Sequence, residues 1–295
     1  KVNKNIYLKN NISQKYIQKN KYQKDRVKLN EIINNISNIL DYEKNALHSL
    51  SKKFNFNFKQ SQLTKFNKYK FIVLIGMGGS ALGAEAIYSF LRYQISKKFI
   101  FFNSLDQLKI EKIKKKINLK KTLFIIVSKS GNTLETLINT NLFEDKINKK
   151  NTIIITEKKT NLLNTFAKKK NILHIDHKNY IGGRYSVLSE VGMIPAYFMG
   201  LEINYFRKNL LSFFNLKEKF LLIDNVIKLT HIYRRQKINS IILLNYAPEC
   251  DKFLYWFQQL IGESLGKKGK GILPFVSPAP RDHHSLLQLY LDGPK

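Results

Sequence analysis

The sequence predicts an α/β protein with a doubly wound parallel sheet, followed by a second, incomplete α/β domain and preceded by a helical region. Two observations carry the sheet. Apolar runs rich in Ile, Val and Phe recur at 71–75, 99–102, 122–127, 152–155 and 172–175, with helical-length segments between most of them. Runs without polar alternation suit strands covered on both faces, and their alternation with helices implies parallel crossovers. A third observation carries the incomplete domain: after about Leu216 a similar pattern begins again but offers only two strands, too few to close a doubly wound domain.

In chain order, residues 1–58 are polar, Lys- and Asn-rich and broken by spaced Ile, Leu and Tyr, which predicts amphipathic helices packed on another element. Residues 59–215 hold the five runs and form the first domain. Residues 216–295 form the second, with a helix to about Gln236, a strand at 239–245, a helix through Trp256 and a strand from about Gly271 to Val276. No short-period repeat and no Pro- or Gly-rich linker interrupts this order.

At 295 residues and 43% hydrophobic content, the chain can bury one large core or two ordinary ones. A formal charge of +30 ordinarily points to nucleic acid or a membrane surface. Here the excess is almost all Lys, scattered through runs such as Lys114–Lys116 and Lys168–Lys170, and accompanied by abundant Asn and Ile, as adenine- and thymine-rich coding produces. That pattern describes a solvated surface, so neither nucleic acid nor membrane is the expected partner. The single Cys250 excludes an intramolecular disulfide and a multi-Cys metal site. No stretch approaches the roughly 18 uncharged apolar residues of a membrane span, and no charged-then-apolar leader opens the chain. A cytoplasmic location is the expectation.

Two strand ends carry chemistry. The first apolar run leads into Gly76-Met77-Gly78-Gly79-Ser80-Ala81-Leu82-Gly83 and then a helical pattern. Glycines there allow a tight turn and close approach of a ligand, and free amides at a helix start favour an anion. Gly76, Gly78 and Ala81 also satisfy the spacing of a dinucleotide fingerprint, while a plain tight turn needs no ligand at all. The third run decides against a dinucleotide. It leads into Ser128-Lys129-Ser130-Gly131-Asn132-Thr133-Leu134-Glu135-Thr136, with hydroxyls at Ser128, Ser130 and Thr133 at the mouth of the next helix. Ordinary capping explains one such hydroxyl, not three, and three beside a helix start describe a monophosphate cradle. Neither loop has the Gly-Lys-Ser/Thr of a Walker loop. The expected phosphate set is Gly79, Ser80, Ser128, Lys129, Ser130 and Thr133, with the amides around Gly79 and Lys129 contributing.

In this order the two loops resemble the sugar-isomerase fold, and the second is similar to the Ser-Lys-(Ser/Thr)-x-x-Thr-x-Glu-Thr motif of the phosphoglucose isomerases. Gly182-Gly183-Arg184-Tyr185-Ser186 resembles that family's Gly-Gly-Arg-(Phe/Tyr)-Ser signature. Gln259-Leu260-Ile261-Gly262-Glu263-Ser264-Leu265-Gly266-Lys267 resembles its Gln-x-x-x-Glu-Ser-x-Gly-Lys segment. The resemblance covers about residues 70–295 and implies an aldose-ketose isomerase acting on glucose 6-phosphate and fructose 6-phosphate without a cofactor. It implies a homodimer with shared active sites.

Such a reaction moves a proton between adjacent carbons through an enediolate, so one base must take and return it. Glu263, the glutamate of the matched segment, is the candidate, and Gln259 four residues earlier shares its helix face. Arg184 suits the developing negative charge because it stays protonated and its fork is preorganised. Ring opening calls for an imidazole. Of the six histidines, His48, His174, His177 and His231 have no catalytic neighbours in sequence, leaving His283 and His284. The resemblance assigns the role to His284, although the Gly-Gln that precedes it in the family is absent here, so the choice between the two neighbours stays open. The family also places a catalytic lysine on a C-terminal helix, and Lys295 comes too early to be it. No His-x-x-Glu or carboxylate cluster suggests a metal. A dual glucose/mannose 6-phosphate isomerase would use the same loops and base, whereas a sugar-phosphate sensing module would need neither Glu263 nor His284.

Overall fold

In the computed structural model, which describes residues 9–293 apart from 117, 215 and 237, the five apolar runs form one parallel sheet of order β2-β1-β3-β4-β5. Residues 1–8 of the helical N-terminal region, and Lys295, lie outside the described residues. The chain opens with α1 (Lys19–Ile39) and the short α2 (Gln60–Leu63). The sheet region follows as β1 (Phe71–Ile75), α3 (Leu82–Phe90), β2 (Lys98–Phe102), α4 (Gln107–Lys116), β3 (Thr122–Val127), α5 (Leu134–Asn141), β4 (Thr152–Thr156), α6 (Leu162–Lys169) and β5 (Leu173–Asp176). Next come α7 (Glu190–Phe198), α8 (Ile203–Arg207) and α9 (Leu216–Gln236), and the chain closes with β6 (Ser240–Asn245), α10 (Asp251–Leu265), β7 (Leu273–Pro278), α11 (Arg281–Ser285) and α12 (Leu287–Asp292).

The runs lack alternation because both faces of the sheet are covered. Successive strand side chains point to opposite sides. Ile72, Leu74, Leu123, Ile125, Val127, Ile153 and Ile155 enter one core with Ala84 and Ile87 of α3 and Val191 and Ile194 of α7. Their neighbours Val73, Ile75, Phe124, Ile126 and Ile154 enter a second core with Ile110 of α4 and Leu163 and Ala167 of α6. All six residues of β3 are buried, as a central strand requires.

The second sheet is smaller and open. β6 and β7 pair in parallel from Ser240↔Leu273 to Asn245↔Pro278. No residue of α10 is buried, and Leu273 and Phe275 of β7 remain 64% and 40% exposed. Helix α10 runs through Trp256 to Leu265, so it carries both Gln259 and Glu263, and it ends at Gly266. The sequence places α9 with this second unit, yet its Ile223 and Ile227 close a small core on Ile33 of α1. The α1 contact is reinforced by Tyr22 Oη donating to Asp224 at 2.6 Å and by His231 Nε2 lying 2.9 Å from Asp25. Among the described residues no helix is long and apolar enough to cross a membrane.

Candidate active site

The two strand-end loops adjoin because β1 and β3 are neighbours. A Cβ on Gly76 would lie 3.0 Å from the carbonyl oxygen of Val127 and 3.1 Å from Cβ of Ser80. Ser80 and Ser128 therefore flank one junction. At that junction Ser128 is buried, its Oγ lies 2.9 Å from Oγ1 of Thr133, and it accepts the Gly131 amide at 3.1 Å. Ser130 is exposed and accepts the Asn132 amide at 3.2 Å. Thr133 occupies the N-cap of α5 but makes no side-chain cap bond, so its hydroxyl serves the loop and the first amides of α5 keep their anion-binding character.

Lys129 departs from the cradle. Its Nζ donates to the Asn179 carbonyl at 2.7 Å and stands 3.9 Å from Glu157, on the β4–β5 side. Only its backbone belongs to the loop.

The first loop is a seat for other chain segments. Gly78 has φ +52, in the left-handed region, and a Cβ there would lie 3.0 Å from Nε2 of Gln259. A Cβ on Gly79 would lie 2.2 Å from the carbonyl carbon of Gly183 and 2.8 Å from the Arg184 amide, so the Gly-Gly-Arg turn rests directly on Gly79. From the sequence these glycines serve either a tight turn or the close approach of a ligand. The structure gives Gly79 to the backbone that carries Arg184.

That contact brings the remaining residues together. Arg184 Nη1 donates to Oε2 of Glu263 at 3.1 Å, and Gln259 Nε2 donates to Oε1 at 2.7 Å, one helical turn away on α10. The other polar atom of the Gln259 amide, Oε1, is buried with no partner among the described residues. The carboxylate is thus held from both sides while remaining half exposed. Arg184 Nε donates to Ser264 Oγ at 3.0 Å, the Tyr185 hydroxyl lies 3.1 Å from the same Oγ, and the guanidinium sits 4.7 Å from the Tyr185 ring centre. The bond to Ser264 and then the field of Arg184 hold the Tyr185 hydroxyl below the usual phenol range, against the effect of its burial. Burial acts to lower the Arg184 pKa, but Tyr185 and Glu263 outweigh it and the net shift is upward, keeping the guanidinium charged.

Tyr185 and Ser264 were not singled out in the sequence. Each sits beside a chosen residue in its motif, but only folding shows that the neighbours from two motifs meet.

His284 stands apart from this cluster. It is exposed on α11 and makes no side-chain hydrogen bond among the described residues, whereas His283 Nε2 lies 2.7 Å from the Tyr246 hydroxyl. The start of α11 follows β7 at the end where Ala279 donates to the Asn245 carbonyl and Asn245 reaches Asp251, the first residue of α10. Glu263 lies twelve residues further along α10, about 18 Å at the ordinary helical rise. Within one chain the histidine and the glutamate occupy opposite ends of the second sheet.

The family model for phosphoglucose isomerase matches residues 23–272. The chain is 36% identical over 245 residues to a glucose-6-phosphate isomerase of Methanocaldococcus jannaschii, covering 78% of this chain and 59% of that one. It is 32% identical over 271 residues to a glucose-6-phosphate isomerase of Campylobacter jejuni subsp. jejuni, covering 84% of this chain and 64% of that one. The match thus spans about three fifths of the length of each relative. A solved glucose-6-phosphate isomerase from Chlamydia trachomatis shares the fold, with a TM-score of 0.76 at 18% identity over 95% of this chain and 65% of that one. Since the matched residues contain both strand-end loops, the turn that carries Arg184 and the helix face of Gln259 and Glu263, the chain belongs to the phosphoglucose isomerase family.

Proposed function

We propose that this chain carries the reacting groups of a glucose-6-phosphate isomerase, which interconverts glucose 6-phosphate and fructose 6-phosphate through an enediolate. The observation that supports the reading most is the contact of Arg184 with Glu263 at 3.1 Å, made beside the loop that adjoins the Ser128 cradle. A phosphate held by Ser80, Ser128, Ser130, Thr133 and the α5 amides anchors the far end of the open sugar. Residues 59–215 then supply the cradle and Arg184, and residues 216–295 supply Gln259 and Glu263. Glu263 removes the C2 proton of the aldose and the electron pair moves to the C1 carbonyl oxygen to give the enediolate; O1 takes up the proton that the C2 hydroxyl gives up, by way of solvent, and as the C2 carbonyl forms the same carboxyl returns the carbon-bound proton to C1. Gln259 and Arg184 each bond one oxygen of Glu263, and each oxygen keeps a free lone pair to face the carbon-bound hydrogen. Arg184, held by Ser264 and Tyr185, stands ready for the oxygen on which charge develops.

Ring opening is assigned to His284, supported by family likeness and by an exposed imidazole with no hydrogen bond among the described residues, beside a His283 bonded to Tyr246. Its distance from Glu263 in one chain favours a homodimer in which each site combines Glu263 of one copy with His284 of the other. Glu190, the next carboxylate to consider as base, is fully buried with Oε1 accepting the Asn57 amide at 2.8 Å, which leaves it out of reach of a sugar.

The test is exchange of the C2 hydrogen of glucose 6-phosphate with solvent, followed by NMR in the full-length dimeric enzyme. Glu263→Gln is expected to bind the sugar phosphate and to lose exchange and turnover together, by about 100- to 10,000-fold. Near-normal exchange would assign the base elsewhere. Mannose 6-phosphate in the same assay separates the dual-specificity reading.

A further inference from the structure

The turn that carries Arg184 ends at Leu188, whose carbonyl accepts a hydrogen bond from Nη1 of Arg207. Nη2 of Arg207 donates to the Ser51 carbonyl at 3.1 Å. The guanidinium lies 5.1 Å from the ring centre of Phe54 and 4.9 Å from that of Phe56. Beside it opens a cavity of about 600 Å³, within the range of small-molecule sites. Leu50, Phe56, Leu210 and Leu211 supply a partly exposed apolar wall, while Phe54 and Phe58, which also line it, are themselves buried. Lys52, Arg207 and Lys208 supply cations, Asn55 and Asn204 supply amides, and no carboxylate among the described residues lines it. Arg207 forms no ion pair among the described residues, and Glu190 acts on it only through its field. A partly buried cation that bonds only carbonyls and rings keeps much of its attraction for an anion.

We propose that this cavity binds an amphipathic organic anion, a carboxylate or phosphate carried on an aromatic or branched apolar group, at a site separate from the Ser128 cradle. The head group meets Lys52, Arg207 and Lys208, and the body lies on Phe56, Leu210 and Leu211. A purely polar sugar phosphate would leave that wall uncovered. Because Arg207 also holds Leu188, a ligand there touches the far end of the turn that carries Arg184. The assignment is independent of the reaction proposed above.

Calorimetric titration tests it with 2-naphthoate, 2-naphthyl phosphate and the neutral 2-naphthylmethanol. At least one anion is expected to bind saturably at one site, with the alcohol about tenfold weaker or more. Arg207 also anchors two backbone segments, so the variants are placed on the exposed Lys52 and Lys208. Lys52→Gln with Lys208→Gln is expected to weaken the anion about fivefold and leave the alcohol unchanged. Ser128→Ala and excess glucose 6-phosphate are expected to leave the anion unaffected, which separates this site from the cradle. Tighter naphthoate marks a carboxylate ligand and tighter naphthyl phosphate a phosphate one. Absence of saturable binding, equal binding of the alcohol, or anion binding that survives the lysine changes and disappears with Ser128→Ala overturns the proposal.

Discussion

Arg184 offers one nitrogen to Glu263 and another to Ser264, a division that only a planar fork can make. Arg184→Lys retains a charge but loses one of these bonds. For the proposed isomerisation, assayed in the full-length protein, it is expected to lower kcat about 10- to 100-fold with a smaller change in KM, since the lost interaction matters most where charge develops; an equal rise in KM alone would place Arg184 in substrate binding instead. A different residue-scale consequence comes from Glu190, whose Oε2 is buried without a partner among the described residues. Burial raises its pKa above the usual glutamate range, partly opposed by the Asn57 amide. Between the ordinary and the raised value the folded chain binds more protons than the unfolded one, so this group's stabilisation is present at acid pH and is lost as pH rises through the raised pKa. Glu190→Gln is expected to raise the melting temperature at pH 8 and to lose that advantage near pH 4. A gain of equal size at both pH values would show that ionisation of Glu190 plays no part.

At the scale of elements, the site depends on how closely one turn rests on another. Gly79→Ala would put a methyl carbon 2.2 Å from the Gly183 carbonyl carbon, a distance backbone atoms cannot tolerate. The turn must lift, carrying Arg184 away from Glu263. The expected result is a destabilised chain, by about 1–3 kcal/mol in urea unfolding, with loss of the proposed isomerase activity exceeding what the unfolded fraction explains. This contact also marks the limit of what the sequence discloses. The strands were legible because burial on both faces leaves an unbroken apolar run, and the Ser128 loop because three hydroxyls at a helix start exceed what capping alone requires. Gln259 and Glu263 were legible as a pair because a four-residue spacing fixes one helix face. The use of Gly79, the roles of Tyr185 and Ser264 and the packing of α9 on α1 were not legible. Each depends on residues far apart in the chain, and no local periodicity encodes which distant segment will arrive.

Considered whole, the molecule has one five-stranded sheet with a buried core on each face and one two-stranded sheet that is largely uncovered. β6 and β7 both present an edge, and Leu273 and Leu291 are 64% and 67% exposed. Unpaired edges with apolar side chains favour association. The 295-residue chain on its own is therefore expected to self-associate with rising concentration in analytical ultracentrifugation, and Leu273→Lys to reduce that association. An association unchanged by this substitution would locate the contact elsewhere. The separation of His284 from Glu263 has its own consequence in the proposed dimer. A chain bearing Glu263→Gln and a chain bearing His284→Ala are each expected to be inert alone. Unfolded together and refolded as a mixture, they form hybrids in which one site inherits both defects and the other inherits neither. Two dead proteins then restore each other, and random pairing of equal amounts returns a quarter of the wild-type sites.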